Sequence, residues 1–421
     1  MEQSRSPRHF SAALTNSDIR LFIGSIGFFT LAGRALAVIV GFQIYQLTHS
    51  VLALGWLGLI EAIPAISVAS FGGYVADRFN RRNILLTTRA ASVLCALAMA
   101  FISWKMRAGA LAGLYAVIFL AGVSRGFSDP AATAFEALVV PKPLTVNASS
   151  WISSTWISSA VLGPAVIGFV YEVWGAAGSY LLLAGCFVLS WIFTAAIPPK
   201  PQAPPEFQGG VHESILVGWR YLFKNQPLIT AMALDLFSIF FGGAVILLPV
   251  YANDILHVGA RGLGLLNAAT SFGALFVTLA ATHRPPIANA GRNLLLSVTG
   301  FGVSILLFAF SKNFALSLAA LFLSGAFDGI SMVIRRSMLR LLSPDPLRGR
   351  IAAASSIFVC ASNELGAFES GMVAAWIGTV PCVAFGGVVT LLVVTASAWL
   401  APQLRMLRFD VHTLERKDQE R

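Results

Sequence analysis

Twelve apolar stretches recur along the 421-residue chain, at 21–45, 51–74, 84–104, 111–138, 147–170, 178–197, 228–251, 262–281, 294–310, 314–342, 351–375 and 381–400. As helices rising about 1.5 Å per residue, runs of this length cross roughly 30 Å of hydrocarbon. Backbone polar groups in lipid must be satisfied within the segment or a closed barrel, so the pattern restricts the chain to an all-α integral membrane bundle of twelve transmembrane helices. Composition agrees: 57% of residues are hydrophobic and 11% charged, against roughly 25% charged in soluble domains. A soluble enzyme and a nucleic-acid partner are both excluded by this reading. The lipid bilayer is the solvent.

Charge sets the expected orientation. Of 29 Lys and Arg residues, 22 fall in the tails, alternate loops and helix ends on one side. Only Lys105, Arg107, Arg261 and Lys312 fall on the other, while Arg34, Arg89 and Arg125 lie within spans. The positive-inside rule then puts both termini in the cytoplasm of a multi-pass protein of the cell inner membrane. The domains read as a tail at 1–20, a six-helix bundle at 21–197, a linker at 198–227, a second bundle at 228–400 and a tail at 401–421. The linker opens with Pro-Pro-Lys-Pro-Gln-Ala-Pro-Pro and continues as an amphipathic surface helix through Trp219, Tyr221, Leu222 and Phe223. The N-terminal segment lacks the pattern of a cleaved signal peptide. Four cysteines inside apolar stretches and six scattered histidines form no metal-ligand spacing, and no cofactor is expected.

The two halves repeat. A shift of 203 superimposes Phe119, Leu120, Gly122, Gly126 and Ser128 on Phe322, Leu323, Gly325, Gly329 and Ser331, and Leu162, Gly163, Gly168 and Gly175 on Leu365, Gly366, Gly371 and Gly378. Sixteen of the 57 positions from Phe119 to Gly175 are identical, where the bias of membrane spans alone gives about a third of that. Both halves start on the same side, so the repeats are parallel, with a binding site expected between them near the midplane.

Between spans two and three stands Gly73-Tyr74-Val75-Ala76-Asp77-Arg78-Phe79-Asn80-Arg81-Arg82. It resembles the G-x-x-x-D-R-x-x-R-R loop of the major facilitator superfamily, and the resemblance covers essentially the whole chain. Gly218 to Leu222, Leu248-Pro249-Val250-Tyr251, Pro344 to Arg350 and Ser362-Asn363-Glu364-Leu365-Gly366 are similar to the bacterial branch holding enterobactin-exporter-like and macrolide-efflux-like members. The resemblance implies the major facilitator fold and a conformational latch made by Gly73, Asp77, Arg78, Arg81 and Arg82. Gly73 would let helices approach closely, and Asp77 would meet the N-terminus of span eleven, near Gly349 to Ala352, whose dipole attracts an anion. Positive-inside anchoring is the alternative reading of the arginines. At a shift of 210 the position of Asp77 is taken by Ile287, so only one symmetry-related latch keeps its acid. Leu162-Gly163-Pro164-Ala165-Val166-Ile167-Gly168 resembles the exporter-associated G-P-x-x-G-G element, with Gly163, Pro164 and Gly168 matching and Ile167 replacing a glycine.

Charges inside spans cost roughly 2.5 to 3.5 kcal/mol each on insertion scales, so each needs a partner or a water-filled cavity. Arg34 and Glu61 lie at comparable depth in spans one and two and are expected to pair. Arg125 and Asp129 share a face of span four at i, i+4. Asp328 occupies the repeat position of Arg125, so the two are candidates to face one cavity from opposite halves. Asp235 lies close enough to the cytoplasm for hydration to explain it, and Glu364 and Glu369 have no basic residue within one turn. Glu61, Asp235, Asp328 and Glu364 are the candidate proton carriers. Span five adds a serine stripe, Ser150, Ser154 and Ser158, with helix packing an equal explanation.

The resulting expectation is a secondary active transporter working by alternating access: a proton-coupled antiporter exporting a small amphipathic molecule such as a siderophore or drug. Its partners would be that small-molecule substrate and protons, with a monomer as the default. Proton-coupled uptake is the alternative within transport. A membrane-embedded acyltransferase is the alternative from another class, and no nucleophile elbow or His-acid pair supports it. No Walker motif is present, so ATP is not expected to drive the cycle.

Overall fold

The computed structural model describes residues 12–106, 109–200, 219–283, 286–344 and 347–409. Among these, every regular element is helical. Spans one to four are Ser17–Thr48, Val51–Arg78, Arg81–Lys105 and Ala110–Val139. Spans five and six run on as Thr145–Ala196, broken at Gly175, whose φ of 65° and ψ of −170° lie outside the helical region and are open only to glycine at low cost. Spans eight to twelve are Gly259–His283, Ala290–Phe310, Phe314–Leu342, Arg348–Ile377 and Thr379–Leu400. Ten helical stretches are apolar and long enough to cross a membrane, with spans five and six joined in one of them. Span eleven adds a helix of 30 residues carrying Asn363, Glu364 and Glu369.

Span seven differs from the expected continuous helix. Gln226–Gly242 ends at Gly243, and the chain proceeds through a 3-10 turn at Ala244–Leu247, a short helix at Leu248–Val250 and a π turn at Tyr251–Ile255. Pro249 cannot donate to the ladder, and Gly243 sits at a non-helical φ of −73° and ψ of 73°. Interrupted helices of this kind expose backbone where it is protected by protein or water.

The chain divides into two compact units: Met1–Val40 with Ile60–Phe207, and Gly41–Leu59 with Gln208–Arg421. The division crosses spans one and two, so the hairpin at 41–59 groups with the second unit rather than with the sequence-defined first bundle. Its contacts explain why: Gly55 meets the backbone of Gly371, Trp56 packs edge-on against Phe368 at 5.1 Å, and Tyr45 hydrogen-bonds Asp254. A side chain at Gly55 or Gly371 would press on the other's backbone, a small-residue crossing of the kind that holds helices together in lipid.

The sequence repeat reappears as a repeat of helix contacts. Gly122 of span four lies against the Glu61 carbonyl of span two, and its counterpart Gly325 of span ten lies against the Thr270 carbonyl of span eight. Each unit also has an apolar cluster at its loop-rich end. Phe22, Leu85, Phe135 and Ile197 are central in one, and Leu222, Leu294, Met338 and Leu404 in the other. Trp104, Trp174, Trp376 and Trp399 are 62 to 82% exposed near helix ends, where indoles favour the membrane interface.

Parts of the expected tails and linker are packed. Ala13 is buried and its N–H donates to Asn147 at 3.0 Å, while Lys200 pairs with Asp18 at 2.5 Å. At the other end, Phe409 N–H donates to the Ala288 carbonyl and Gly291 N–H to the Leu407 carbonyl, both at 3.2 Å. Residues 219–224 are helical, with Leu222 fully buried and the Tyr221 hydroxyl donating to the Leu342 carbonyl at 2.7 Å. The rest of the expected linker helix lies outside the described residues.

Candidate functional site

In the first unit, the close crossing at Gly122 brings span four onto span two, and Arg125, about one turn further along, reaches Glu61. Arg125 Nη1 lies 3.0 Å from Glu61 Oε1 and Arg125 Nε lies 3.5 Å from Asp129 Oδ2. The i, i+4 pair on span four is present as expected. The expected Arg34–Glu61 pair is not: Glu61 bonds Arg125, and the Arg34 guanidinium lies 4.7 Å over the ring of Trp156 on span five. Rotation about the helix axis, not position along it, decides which side chains meet. Gly163 and Pro164 are buried, and Gly163 packs against the Leu31 carbonyl and the Arg34 stem. The exporter-like element therefore joins span five to span one beside Arg34. Gly168 is buried on the same helix. Ser150, Ser154 and Ser158 are exposed.

In the second unit, one arginine holds two acids. Arg335 on span ten pairs with Asp235 on span seven, and its Nη2 lies 3.6 Å from Asp328 Oδ1, two turns earlier on its own helix. Asp235 is 5% exposed and Arg335 8%, so hydration does not account for Asp235 and an ion pair does. Asp328 therefore has a basic partner within its own unit. Its side chain is 42% exposed, and with Asp235, Ser238 and Ser331 it lines a cavity of about 10 Å³, room for about one water. By the charge asymmetry Arg335 counts only as one of the 22 basic residues on the inner side. Its i, i+7 spacing from Asp328, which puts both on one helix face, was the available signal.

Glu364 lies beside Gly58, whose Cβ position is 3.9 Å from Glu364 Oε2. Glu369 accepts from the Ser370 hydroxyl at 3.4 Å. Neither belongs to the Arg335 cluster.

The loop motif is tied into the first unit. Asn80 caps span three by accepting from Arg82 N–H at 3.0 Å, Arg82 donates to the Ala195 carbonyl at 2.6 Å, and Arg81 Nε donates to the Ala76 carbonyl at 3.1 Å. Arg78 lies over Tyr74 at 4.7 Å. Asp77, 64% exposed, has Arg81 at 3.9 Å. The close helix approach expected at Gly73 is instead at Gly72, where a Cβ would overlap the Gly126 carbonyl; around Gly73 there is nothing within 4 Å. The register of the crossing differs by one residue because a helix presents adjacent positions about 100° apart.

One buried cation had no assigned part. Arg89 of span three is 2% exposed and donates to Ser25, to the Ser190 hydroxyl and to the Thr194 hydroxyl, the last two at 2.6 Å. Hydroxyls from spans one and six thus hold a guanidinium without an acid among the described residues. Its ring partner is Phe29 at 5.3 Å.

The family model "Major Facilitator Superfamily" matches residues 22–290. The enterobactin exporter EntS of Shigella dysenteriae serotype 1 (strain Sd197) is 27% identical over 325 residues, covering 75% of each chain. EntS of Escherichia coli O139:H28 (strain E24377A / ETEC) matches to the same extent. Among solved structures, a POT family transporter in complex with a thioalcohol conjugated peptide gives a TM-score of 0.74 at 9% identity, covering 92% of this chain and 96% of that one. A D-xylose-proton symporter gives 0.70 at 14% identity, covering 93% and 99%, and the nucleoside transporter NupG gives 0.68 at 16%, covering 94% and 100%. These three are likenesses of fold. With the family model covering more than half of the residues, the chain belongs to the major facilitator superfamily, a family of transporters rather than enzymes.

Proposed function

We propose that this chain is a proton-coupled exporter of a small amphipathic molecule, working by alternating access in the cytoplasmic membrane with both termini inside. The observation that carries the coupling is the pair of acids on Arg335. Asp235 alone balances the buried guanidinium, so Asp328 is a surplus negative charge on a side chain that water can reach. Protonating Asp328 removes that surplus and leaves the buried pair intact, whereas protonating Asp235 would shift the burden of the guanidinium onto the longer contact. Each proton entering down a potential of 100 mV supplies about 2.3 kcal/mol, a useful fraction of the work of export.

Export is supported by the relatives named as exporters and by the packing of Gly163 beside Arg34. In this reading Asp77 with Arg78, Arg81 and Arg82 forms the cytoplasmic latch, the last two already anchored to backbone carbonyls so that the acid is held in place. Glu61, Arg125 and Asp129 form a second polar cluster, again two acids on one cation, and Glu61, Glu364 and Glu369 are secondary candidates for the proton path.

The test begins with accumulation assays of a panel of drugs and siderophores in cells with and without the protein, repeated with an uncoupler. A transported compound is then followed in proteoliposomes with an imposed pH gradient. Asp328→Asn should abolish gradient-driven export while exchange down the substrate's own gradient survives. Wild-type export by Asp328→Asn, or a wild type indifferent to the gradient, refutes the coupling; net movement with the proton rather than against it makes the protein an importer.

A further inference from the structure

The geometry points to a subsite for a planar aromatic acid in the first unit, built from Arg34, Trp156 and the open face of span one. It rests on the transport reading for its purpose, though its test does not. Arg34 stands 13 residues past Leu21, the start of the first apolar run, yet among the described residues it makes no hydrogen bond and no ion pair. Both neighbouring acids are taken, Glu61 and Asp129 lying at 3.0 and 3.5 Å from Arg125. The Arg34 guanidinium is stacked on Trp156, which leaves its N–H edge without an acceptor.

Arg34 stands on an open side of span one. Gly33, Arg34 and Ala37 are exposed on one side of span one, while Ala32, Ala35 and Ile39 are buried on the other. A Cβ at Gly33 would meet nothing within 4 Å. Positions exposed elsewhere in this unit carry large apolar groups suited to lipid, such as Leu94, Phe101, Phe119 and Leu181. A face of glycine, arginine and alanine is unlike them, and a bare guanidinium is costly in hydrocarbon.

The chemistry selects the ligand class. A guanidinium edge matches a carboxylate or phenolate through paired hydrogen bonds. The indole, 45% exposed, offers apolar and aromatic surface next to it. Ser153, exposed about one turn before Trp156, adds a hydroxyl. The arrangement is preorganised, because spans one and five cross closely at Gly163, where an added Cβ would stand 3.4 Å from the Arg34 Cβ. A cationic ligand would meet Arg34 as a like charge, and a purely aliphatic one would leave the guanidinium edge dry and unbonded.

The probe is naphthoate, with uncharged naphthamide as its control, measured by equilibrium dialysis against the full-length protein in nanodiscs with empty nanodiscs subtracted. Wild-type protein should bind naphthoate at least about tenfold more tightly than naphthamide, and Arg34→Gln should lower naphthoate affinity on the order of tenfold while leaving naphthamide unchanged. Gly33→Phe, which fills the space without altering a charge, should abolish binding of both. If Arg34→Gln does not elute as a folded protein, Trp156→Leu, with Arg34 intact, should weaken naphthoate by a similar factor. Absence of naphthoate binding above empty nanodiscs, or wild-type affinity in Gly33→Phe or in the folded Arg34→Gln or Trp156→Leu proteins, overturns the subsite. No gradient is applied, so failure here leaves the Asp328 coupling standing, and failure of coupling leaves this binding result standing.

Discussion

Replacing Arg335 with methionine removes the cation from a cluster of two acids and exposes how much that cation stabilises. Asp235, 5% exposed, is left as a desolvated carboxylate with no route to water comparable to that of Asp328. Breaking a buried pair from one side costs about 3 to 5 kcal/mol, mostly from the stranded charge rather than from lost attraction. Asp328→Asn removes only a 3.6 Å contact to a side chain that is 42% exposed, for which about 0.2 to 1 kcal/mol is the scale of partly hydrated pairs. Asp235→Asn combined with Arg335→Met removes both buried charges together, and should recover most of the single-mutant loss, giving a coupling energy of about 2 to 3 kcal/mol. Reversible unfolding in one detergent, followed by tryptophan fluorescence and monitored for recovery by gel filtration, measures the wild type, the single variants Arg335→Met, Asp235→Asn and Asp328→Asn, and the double variant. The reasoning fails if Arg335→Met is no less stable than Asp328→Asn, or if the double variant is no more stable than Arg335→Met.

Asp77→Asn should preserve expression, with stability changed by no more than about 0.5 kcal/mol at an exposed site, yet lose most transport; wild-type rates in the well-expressed variant would contradict the latch. Gly73→Ala should raise stability by about 0.5 to 1 kcal/mol, since a helical glycine with open space gains from a methyl, whereas Gly72→Val should fail to accumulate because its side chain overlaps the Gly126 carbonyl; the pair is compared by folded yield and melting temperature. Tyr45→Phe removes a hydrogen bond to a carboxylate, worth about 1.5 to 3 kcal/mol, and should speed amide exchange in residues 41–59 by about tenfold or more; unchanged protection there would show that the glycine crossing alone holds the hairpin. A cysteine placed at Gln208 should be labelled only after the membrane is opened, and labelling from outside in intact cells would reverse the topology.

The all-helical membrane class and the loop motif were legible in the sequence because each is imposed locally. A bilayer fixes the length of an apolar run, and a motif is contiguous. The Arg125–Asp129 pair was legible for the same reason, being four residues apart on one helix. Span seven was not: Gly243 and Pro249 signalled an irregularity, but the apolar run continues through them, and hydropathy does not register backbone geometry.

What only the tertiary structure decided is which groups meet across helices. From the sequence, Arg34 and Glu61 share a depth, Asp235 sits near a helix end, and Arg335 counts among the basic residues of the inner side. In the structure Arg34 lies on Trp156, Glu61 bonds Arg125, and Asp235 is sealed against Arg335. One residue of helix turns a side chain by about 100° while moving it only about 1.5 Å along the axis. Depth is therefore readable from counting, whereas facing depends on how the small residues at the crossings let one helix rotate against the next.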